Sequence, residues 1–113
     1  MPALNDLAWL YVQSKDPRAV ATARRAYELA PNVSEIADTY GWALVQSGQV
    51  ESGAQILQRA AAGSSNSSIK VHYAAALAGT GDREGARLIL SRVLSGSVSV
   101  PDRSAAEQLL HEL

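Results

Sequence analysis

The chain of 113 residues contains no cysteine, no phenylalanine, two tryptophans and four tyrosines. The absence of cysteine excludes disulfides, thiolate nucleophiles and cysteine-ligated zinc. No apolar run approaches the ~20 residues that span a bilayer, and no signal-peptide pattern is present. The formal net charge is only −1, so the composition favours neither nucleic acid nor an anionic membrane as a partner.

What the chain does contain is a large apolar fraction, 47% of its residues, much of it alanine. Alanine has the highest helix propensity and lets helices approach closely, and segments with strand-like alternation are few. The sequence therefore predicts an all-α chain. Its helices are separated by breaks at Pro31, Gly48, the Ser-rich stretch 63–68, Gly81 and Pro101. The predicted helices cover about 2–14, 17–29, 34–47, 50–62, 69–79, 82–95 and 102–113.

Several helix ends carry specific signals. We expect Asp16 and Asp82 to act as N-caps, and Gly48 to adopt the left-handed conformation that ends a helix. Ser104 and Glu107 have the spacing of a capping box, which predicts the start of the last helix. Because the turns are short, consecutive helices are expected to pack antiparallel.

The sequence repeats itself. The segment Trp-x-x-Val-Gln-Ser begins at Trp9 and again at Trp42, 33 positions later, and Gly48 is followed by Gly81 at the same interval. Two helices within a period of this length are typical of a helix-turn-helix array.

The residues at the repeat positions resemble the tetratricopeptide repeat family. The first helix of each repeat has a large residue followed by a small one, as Leu7-Ala8, Tyr40-Gly41 and Tyr73-Ala74, and a large residue three positions further on, as Tyr11, Leu44 and Leu77. The second helix has a small residue for the close crossing, Ala19, Gly53 or Ala86. A second small residue lies near its end, Ala26 or Ala60, where the third repeat has the larger Val93. Pro31 matches the closing proline, which the second and third repeats lack. The resemblance implies one domain, a right-handed solenoid of three repeats at about 2–31, 34–66 and 68–97, with a capping helix at about 102–113.

The style of the second and third repeats, "DTYGWALVQSGQVESGAQILQRAA" and then "YAAALAGTGDREGAR", is similar to the C-terminal repeats of bacterial tetratricopeptide lipoproteins. Those proteins accompany exosortase and exopolysaccharide export systems. The resemblance implies a piece of a larger bacterial export protein, periplasmic or membrane-anchored, with a cytoplasmic parent as the alternative.

A residue two positions after a packing residue points about 200° away from it on a helix. Trp9 and Trp42 stand two positions after Leu7 and Tyr40, so we expect them to face the inner groove that the resemblance implies. The expected groove residues are Asn5, Trp9, Val12, Gln13, Asp38, Trp42, Val45, Gln46 and His72. The alternative is that both indoles pack between repeats and contribute only burial.

Catalytic and cofactor signals are weak. His72 and His111 are far apart in sequence, the serines lie in no Gly-x-Ser-x-Gly motif, and Gly79-x-Gly81 ends a helix without a preceding strand. We therefore expect neither enzymatic activity, nor a cofactor, nor a metal. The Lys/Asn clamp with which some tetratricopeptide proteins hold a peptide carboxylate is not matched either, because Asn5, Trp9, Asp38 and Trp42 occupy those positions.

Three functions remain open from the sequence. The leading one is a scaffold that binds a peptide or a partner subunit in the groove; the others are a structural spacer in a longer superhelix, and a carbohydrate-binding groove built on Trp9 and Trp42. The helical pattern starts within the first residues, with Leu4, Leu7 and Tyr11 and no polar helix before them. We therefore expect the chain to be a piece of a longer protein, and to self-associate through its first helix.

Overall fold

The computed structural model describes residues 2–113, and Met1 lies outside the described part. The prediction of an all-α chain is confirmed, since the described residues contain helices and turns but no strand. The seven helices within residues 2–113 are α1 (Pro2–Gln13), α2 (Ala19–Leu29), α3 (Ser34–Gln46), α4 (Val50–Ala62), α5 (Ser67–Thr80), α6 (Arg83–Leu94) and α7 (Val100–Glu112).

The packing order follows the chain. Each helix contacts the next one, and the odd-numbered helices also contact one another as a row, α1 with α3, α3 with α5 and α5 with α7. Within residues 2–113, no such contact joins α2 to α4 or α4 to α6. The odd-numbered helices therefore form the closer-packed layer, and the even-numbered helices diverge on the other side.

The turns after α1, α3 and α5 have the same hydrogen bonds. In each turn a backbone amide donates to the carbonyl five residues earlier: Asp16 N to Tyr11 O at 2.8 Å, Gln49 N to Leu44 O at 2.9 Å, and Asp82 N to Leu77 O at 2.9 Å. This is the bond of a Schellman motif, which needs a left-handed residue just before the donor. Gly48 and Gly81 supply it with φ of 95° and 101°, as predicted for Gly48, whereas the first turn uses Lys15 with φ of 56°.

The structure corrects two of the predicted helix starts. α7 begins at Val100, because the side chain of Ser99 accepts from the amide of Asp102, so the capping box predicted at Ser104 is wrong. The cap of α5 is Asn66, which accepts from the amide of Ser68 at 2.8 Å. The predicted cap at Asp82 is confirmed by its bond from the amide of Gly85 at 2.9 Å.

Asp16, the other predicted cap, lies in a turn rather than directly at the helix start. Its carboxylate accepts from the backbone amide and the guanidinium of Arg18, and α2 begins at Ala19. The side-chain hydrogen bond from Arg18, followed by the backbone bond, lowers the pKa of Asp16 to about 2.

The predicted close crossing of α3 and α4 is confirmed at a pair of glycines. A Cβ added to Gly53 would lie 2.7 Å from the carbonyl oxygen of Gly41 and 2.6 Å from Cγ2 of Val45. The equivalent crossing residues in the other helix pairs are alanines, Ala8 with Ala19 and Ala74 with Ala86, all of them buried. The α3–α4 crossing is thus too close for any side chain at position 53.

The core consists of small clusters along the array rather than one central mass. The largest fully buried side chains are those of Leu57, Ile69 and Leu90. At the C-terminal end Ala106 is buried, and Leu109, Leu110 and Leu113 pack half-buried on the cluster formed by α5 and α6. At the N-terminal end Leu7 and Leu10 remain 40% and 58% exposed.

Candidate partner-binding groove

Two indoles and one imidazole meet on the odd-numbered helices. His72 of α5 stacks on Trp42 of α3, with ring centroids 4.4 Å apart and an angle of 18° between the planes. The same imidazole lies 5.9 Å from the ring of Trp9 on α1, tilted by 44°. Three consecutive odd-numbered helices therefore contribute one ring each, and we call Trp9, Trp42 and His72 the aromatic cluster.

Asp38 fixes the orientation of the imidazole. Its Oδ1 lies 2.8 Å from Nδ1 of His72, and the two side chains are only 12% and 18% exposed. Asp38 stands one helical turn before Trp42 on α3, so both residues share the face that meets α5. A carboxylate bonded to one ring nitrogen sets the tautomer and the plane of a histidine, which here keeps the stack in place.

The indoles themselves are half-buried. Both pack against the core cluster of α1, α2 and α3, and Trp42 also packs against a second cluster that includes Ala54, Leu57 and Ala76. Each indole therefore contributes burial with one part of its ring, and each also borders a cavity.

Two cavities open beside the aromatic cluster and share Ser68 and His72. The first, of about 290 Å³, is lined mainly by polar side chains: Asn5, Asp6, Trp9, Glu35, Asp38, Thr39, Ser68 and His72. The second, of about 330 Å³, is lined by apolar and polar side chains together: Trp42, Ser68, Val71, His72, Ala75, Asp102, Ala105, Gln108, Leu109 and Glu112. We call the two cavities and the aromatic cluster between them the groove.

Five of the nine expected groove residues come together in this way: Asn5, Trp9, Asp38, Trp42 and His72. Val12 does not, since it is 6% exposed in the core with Ala19 and Ala23, and its assignment to the groove is corrected accordingly. A residue three positions after a tryptophan is turned by about 60° towards the neighbouring helix of its own pair. The same rotation brings Val45 to the α3–α4 crossing.

Gln13 and Gln46 are exposed but line neither groove cavity. Gln46 instead borders a different cavity near the turn after α1, together with Lys15 and Pro17. The Val-Gln pair that occurs in both repeats therefore lies at the C-terminal ends of α1 and α3, outside the two groove cavities.

Ser68 and the residues of α7 were not among the residues expected in the groove. Ser68 Oγ donates to Asp102 at 2.6 Å, which joins the start of α5 to the start of α7. Ser68–Asp102 and Asp38–His72 both span 34 positions, one more than the repeat of 33, so a search for polar pairs at one repeat length and one position beyond it would have found them.

A serine, a histidine and two carboxylates near one another invite comparison with a hydrolase. The hydroxyl of Ser68 donates to Asp102, however, and no hydrogen bond joins it to the imidazole of His72 in the described residues. A nucleophile activated by an adjacent base requires that bond. The bonds of the described residues thus orient the aromatic cluster and tie Ser68 to Asp102.

A cavity larger than either groove cavity lies away from the groove. It measures about 430 Å³, lies among α4, α5, α6 and the turn at 96–98, and contains none of the expected site residues. Its charged lining residues are Lys70 and Arg92. Size alone does not make it the better candidate, because the groove holds the cluster of bonded and stacked polar and aromatic side chains.

No family model and no curated protein matches the sequence. None of the helices in residues 2–113 has the length and apolar character required to cross a membrane. In the same residues no three His, Asp or Glu side chains lie together in a way that could hold a metal ion.

Proposed function

We propose that the chain is a non-enzymatic interaction scaffold that binds a peptide segment or a partner subunit in the groove. The single observation that carries the proposal is the aromatic cluster of Trp9, Trp42 and His72, held by Asp38 and flanked by an open cavity on each side. Half-buried aromatic side chains in a concave surface are the usual anchors of protein interfaces.

The proposal includes a tetratricopeptide-like solenoid as the scaffold. Three turns with the same hydrogen bonds, at intervals of 33 positions, support three equivalent helix pairs. Contacts among the odd-numbered helices support an inner layer, and the leucines of α7 support a terminal helix that covers the last pair. Membership of a bacterial export protein rests on the sequence resemblance alone.

A carbohydrate-binding groove is the less favoured function. Stacking on a sugar requires a free indole face, and His72 already covers part of Trp42 at 4.4 Å. A spacer without a ligand would leave the Asp38–His72 bond and the two cavities without a role beyond packing.

The test is to fill the groove without disturbing the core. Ala105 is exposed and lines the second cavity, so Ala105→Gln places a larger neutral side chain there. Ala21, exposed on α2, provides the matched control variant Ala21→Gln. We expect a partner captured by the wild type, and identified by mass spectrometry, to be lost with Ala105→Gln and retained with Ala21→Gln.

Both variants are first checked by circular dichroism and thermal unfolding, so that lost binding is not confused with lost folding. Equal retention of the partner by the two folded variants would contradict binding in the groove. Titration with neutral oligosaccharides, followed by Trp fluorescence, tests the carbohydrate alternative on the same samples.

A further inference from the structure

The net charge of −1 conceals a separation of charge between the two layers of helices. The odd-numbered helices carry six carboxylates and two cations, whereas the even-numbered helices carry three carboxylates and six cations. All six cations of the even-numbered helices are exposed arginines: Arg24, Arg25, Arg59, Arg83, Arg87 and Arg92. The layer that contains the groove is therefore acidic, and the opposite layer is basic.

The charged side chains of the groove are more uniformly negative than those of the layer that contains it. Neither of its cavities has a lysine or arginine in its lining, and His72 is the only basic side chain there. Asp6 and Glu35 border the first cavity with exposed side chains, and Glu112 borders the second. None of these three carboxylates forms an ion pair within residues 2–113.

The first cavity is rich in acceptors. The exposed carboxylates of Asp6 and Glu35 border it beside the indole of Trp9, and neither forms an ion pair within residues 2–113. Asn5, another lining residue, has a buried Oδ1 without a hydrogen-bond partner in the described residues. The two free carboxylates favour a ligand that brings positive charge and several N–H donors.

The second cavity differs in its lining. It is bordered by Val71, Ala75, Ala105 and Leu109 together with the ring of Trp42. An apolar side chain fits against these residues, while the carboxylates of Asp102 and Glu112 in the same lining favour positive charge nearby.

Resting on the proposed function, we infer that the occupant of the groove is a basic peptide segment with an arginine in the first cavity and an apolar side chain in the second. A guanidinium provides five N–H donors in a planar fork, pairs with carboxylates in a bidentate manner and stacks on indole faces. Those properties match the acceptors of the first cavity and the adjacent ring of Trp9. A lysine ammonium offers fewer donors and does not stack in the same way.

The test uses synthetic peptides that are acetylated and amidated, so that the termini carry no charge. Each contains one arginine and one leucine, separated by none to three glycines, with a fluorescent label. In the best-binding spacing the arginine is then replaced by citrulline, lysine or glutamate. Citrulline is the decisive comparison, because it keeps the shape of arginine and removes the charge.

The protein variants are matched in charge. Asp6→Asn with Glu35→Gln removes two carboxylates at the first cavity, and Glu28→Gln with Glu84→Gln removes two exposed carboxylates from α2 and α6. We expect the arginine peptide to bind the wild type and the control variant alike, and to bind the groove variant about tenfold more weakly. The citrulline peptide should bind the wild type about tenfold more weakly than the arginine peptide does. The difference in affinity between the two peptides should shrink as salt is added.

Equal weakening by the groove and control variants would overturn the inference, since the effect would then be one of net charge. So would equal binding of the arginine and glutamate peptides. A further outcome is a peptide that binds the wild type without preferring arginine and loses its binding to the Ala105→Gln variant. In that case the proposed function stands and the inference fails. If Ala105→Gln also retains the partner captured by the wild type, the proposed function fails as well.

Discussion

The helix pairs α1/α2 and α3/α4 carry the same Trp-x-x-Val-Gln-Ser segment, but they differ in tryptophan packing, in the residues where their helices cross and in the turn between them. Trp42 stacks on His72 and touches two core clusters, whereas Trp9 is tilted and touches one. The second pair crosses closely at Gly41 and Gly53, and the first pair has the buried alanines Ala8 and Ala19 at the equivalent repeat positions. The repeated residues therefore specify the helical pair, while the neighbours of each pair decide which contacts a given side chain makes.

The tryptophans should show the largest difference between the two pairs. Truncation of a fully buried tryptophan costs about 3–5 kcal/mol, so we expect Trp42→Ala to lower the free energy of unfolding by about 2–3 kcal/mol. Trp9→Ala should lower it by about 1–2 kcal/mol, because its ring packs on fewer neighbours. Urea denaturation of both variants measures the two values, and a larger loss with Trp9→Ala would contradict the packing described here.

The helix crossings give the next effect. Gly53→Ala should destabilise the protein by about 1–3 kcal/mol, because the new Cβ would meet the carbonyl oxygen of Gly41 at 2.7 Å. The higher helix propensity of alanine, about 1 kcal/mol, offsets only part of this cost. The exposed neighbour Ser52 supplies the control Ser52→Ala. A raised melting temperature with Gly53→Ala would show that the helices can separate at little cost.

The turns differ in a way that exchange of residues can test. Lys15 adopts φ of 56° where the second pair has Gly48 at 95°. A residue with a side chain loses roughly 1 kcal/mol of stability in this conformation. Replacing it with glycine removes that cost, but the more flexible unfolded chain offsets part of the benefit. We expect Lys15→Gly to stabilise by about 0.5 kcal/mol and Gly48→Lys to destabilise by about 1 kcal/mol. Thermal unfolding measures both, and changes of the same sign would contradict the assignment.

The smallest effect concerns association. Leu10 is 58% exposed, whereas Ala43, its equivalent in the second pair, is 1% exposed because α1 and α2 cover it. We therefore expect weak self-association through α1, by end-to-end stacking or helix exchange, that Leu7→Glu abolishes. Sedimentation over a wide range of concentrations measures it. A strict monomer at high concentration, or an association that survives Leu7→Glu but not removal of 104–113, would refute this expectation.

Local features of the fold were predictable from the sequence. Gly48 adopts the left-handed conformation of a turn, and Asp82 accepts a hydrogen bond from an amide three residues later. Both roles depend only on neighbouring residues, so the local sequence is enough to predict them. Ser99 was missed because Ser104 has the more familiar spacing, although a serine two positions before Pro101 leaves the proline in the first turn of α7.

The candidate site was predictable only in part. Helical geometry brought Trp9 and Trp42 to one face, but Val12 was misassigned because the rotation of about 60° from Trp9 turns it into the core. The contact of His72 with both indoles depends on the packing of three separate helices. The acidic character of the groove was hidden because opposite charges on the two layers cancel in the total.

The packing order along the chain also has a kinetic consequence. Helices of residues 2–113 contact only the next helix or the one after it, so the contact order is low. Low contact order favours fast folding, and an array of this kind can nucleate at any adjacent helix pair. The contact between Trp9 and His72 requires α1, α3 and α5 to have assembled. His72 lies closer to Trp42, so the contact is followed in a Trp42→Phe variant, in which Trp9 is the one indole of the sequence. Quenching of that indole by the imidazole in a stopped-flow experiment should mark the moment at which separately formed pairs become one continuous structure.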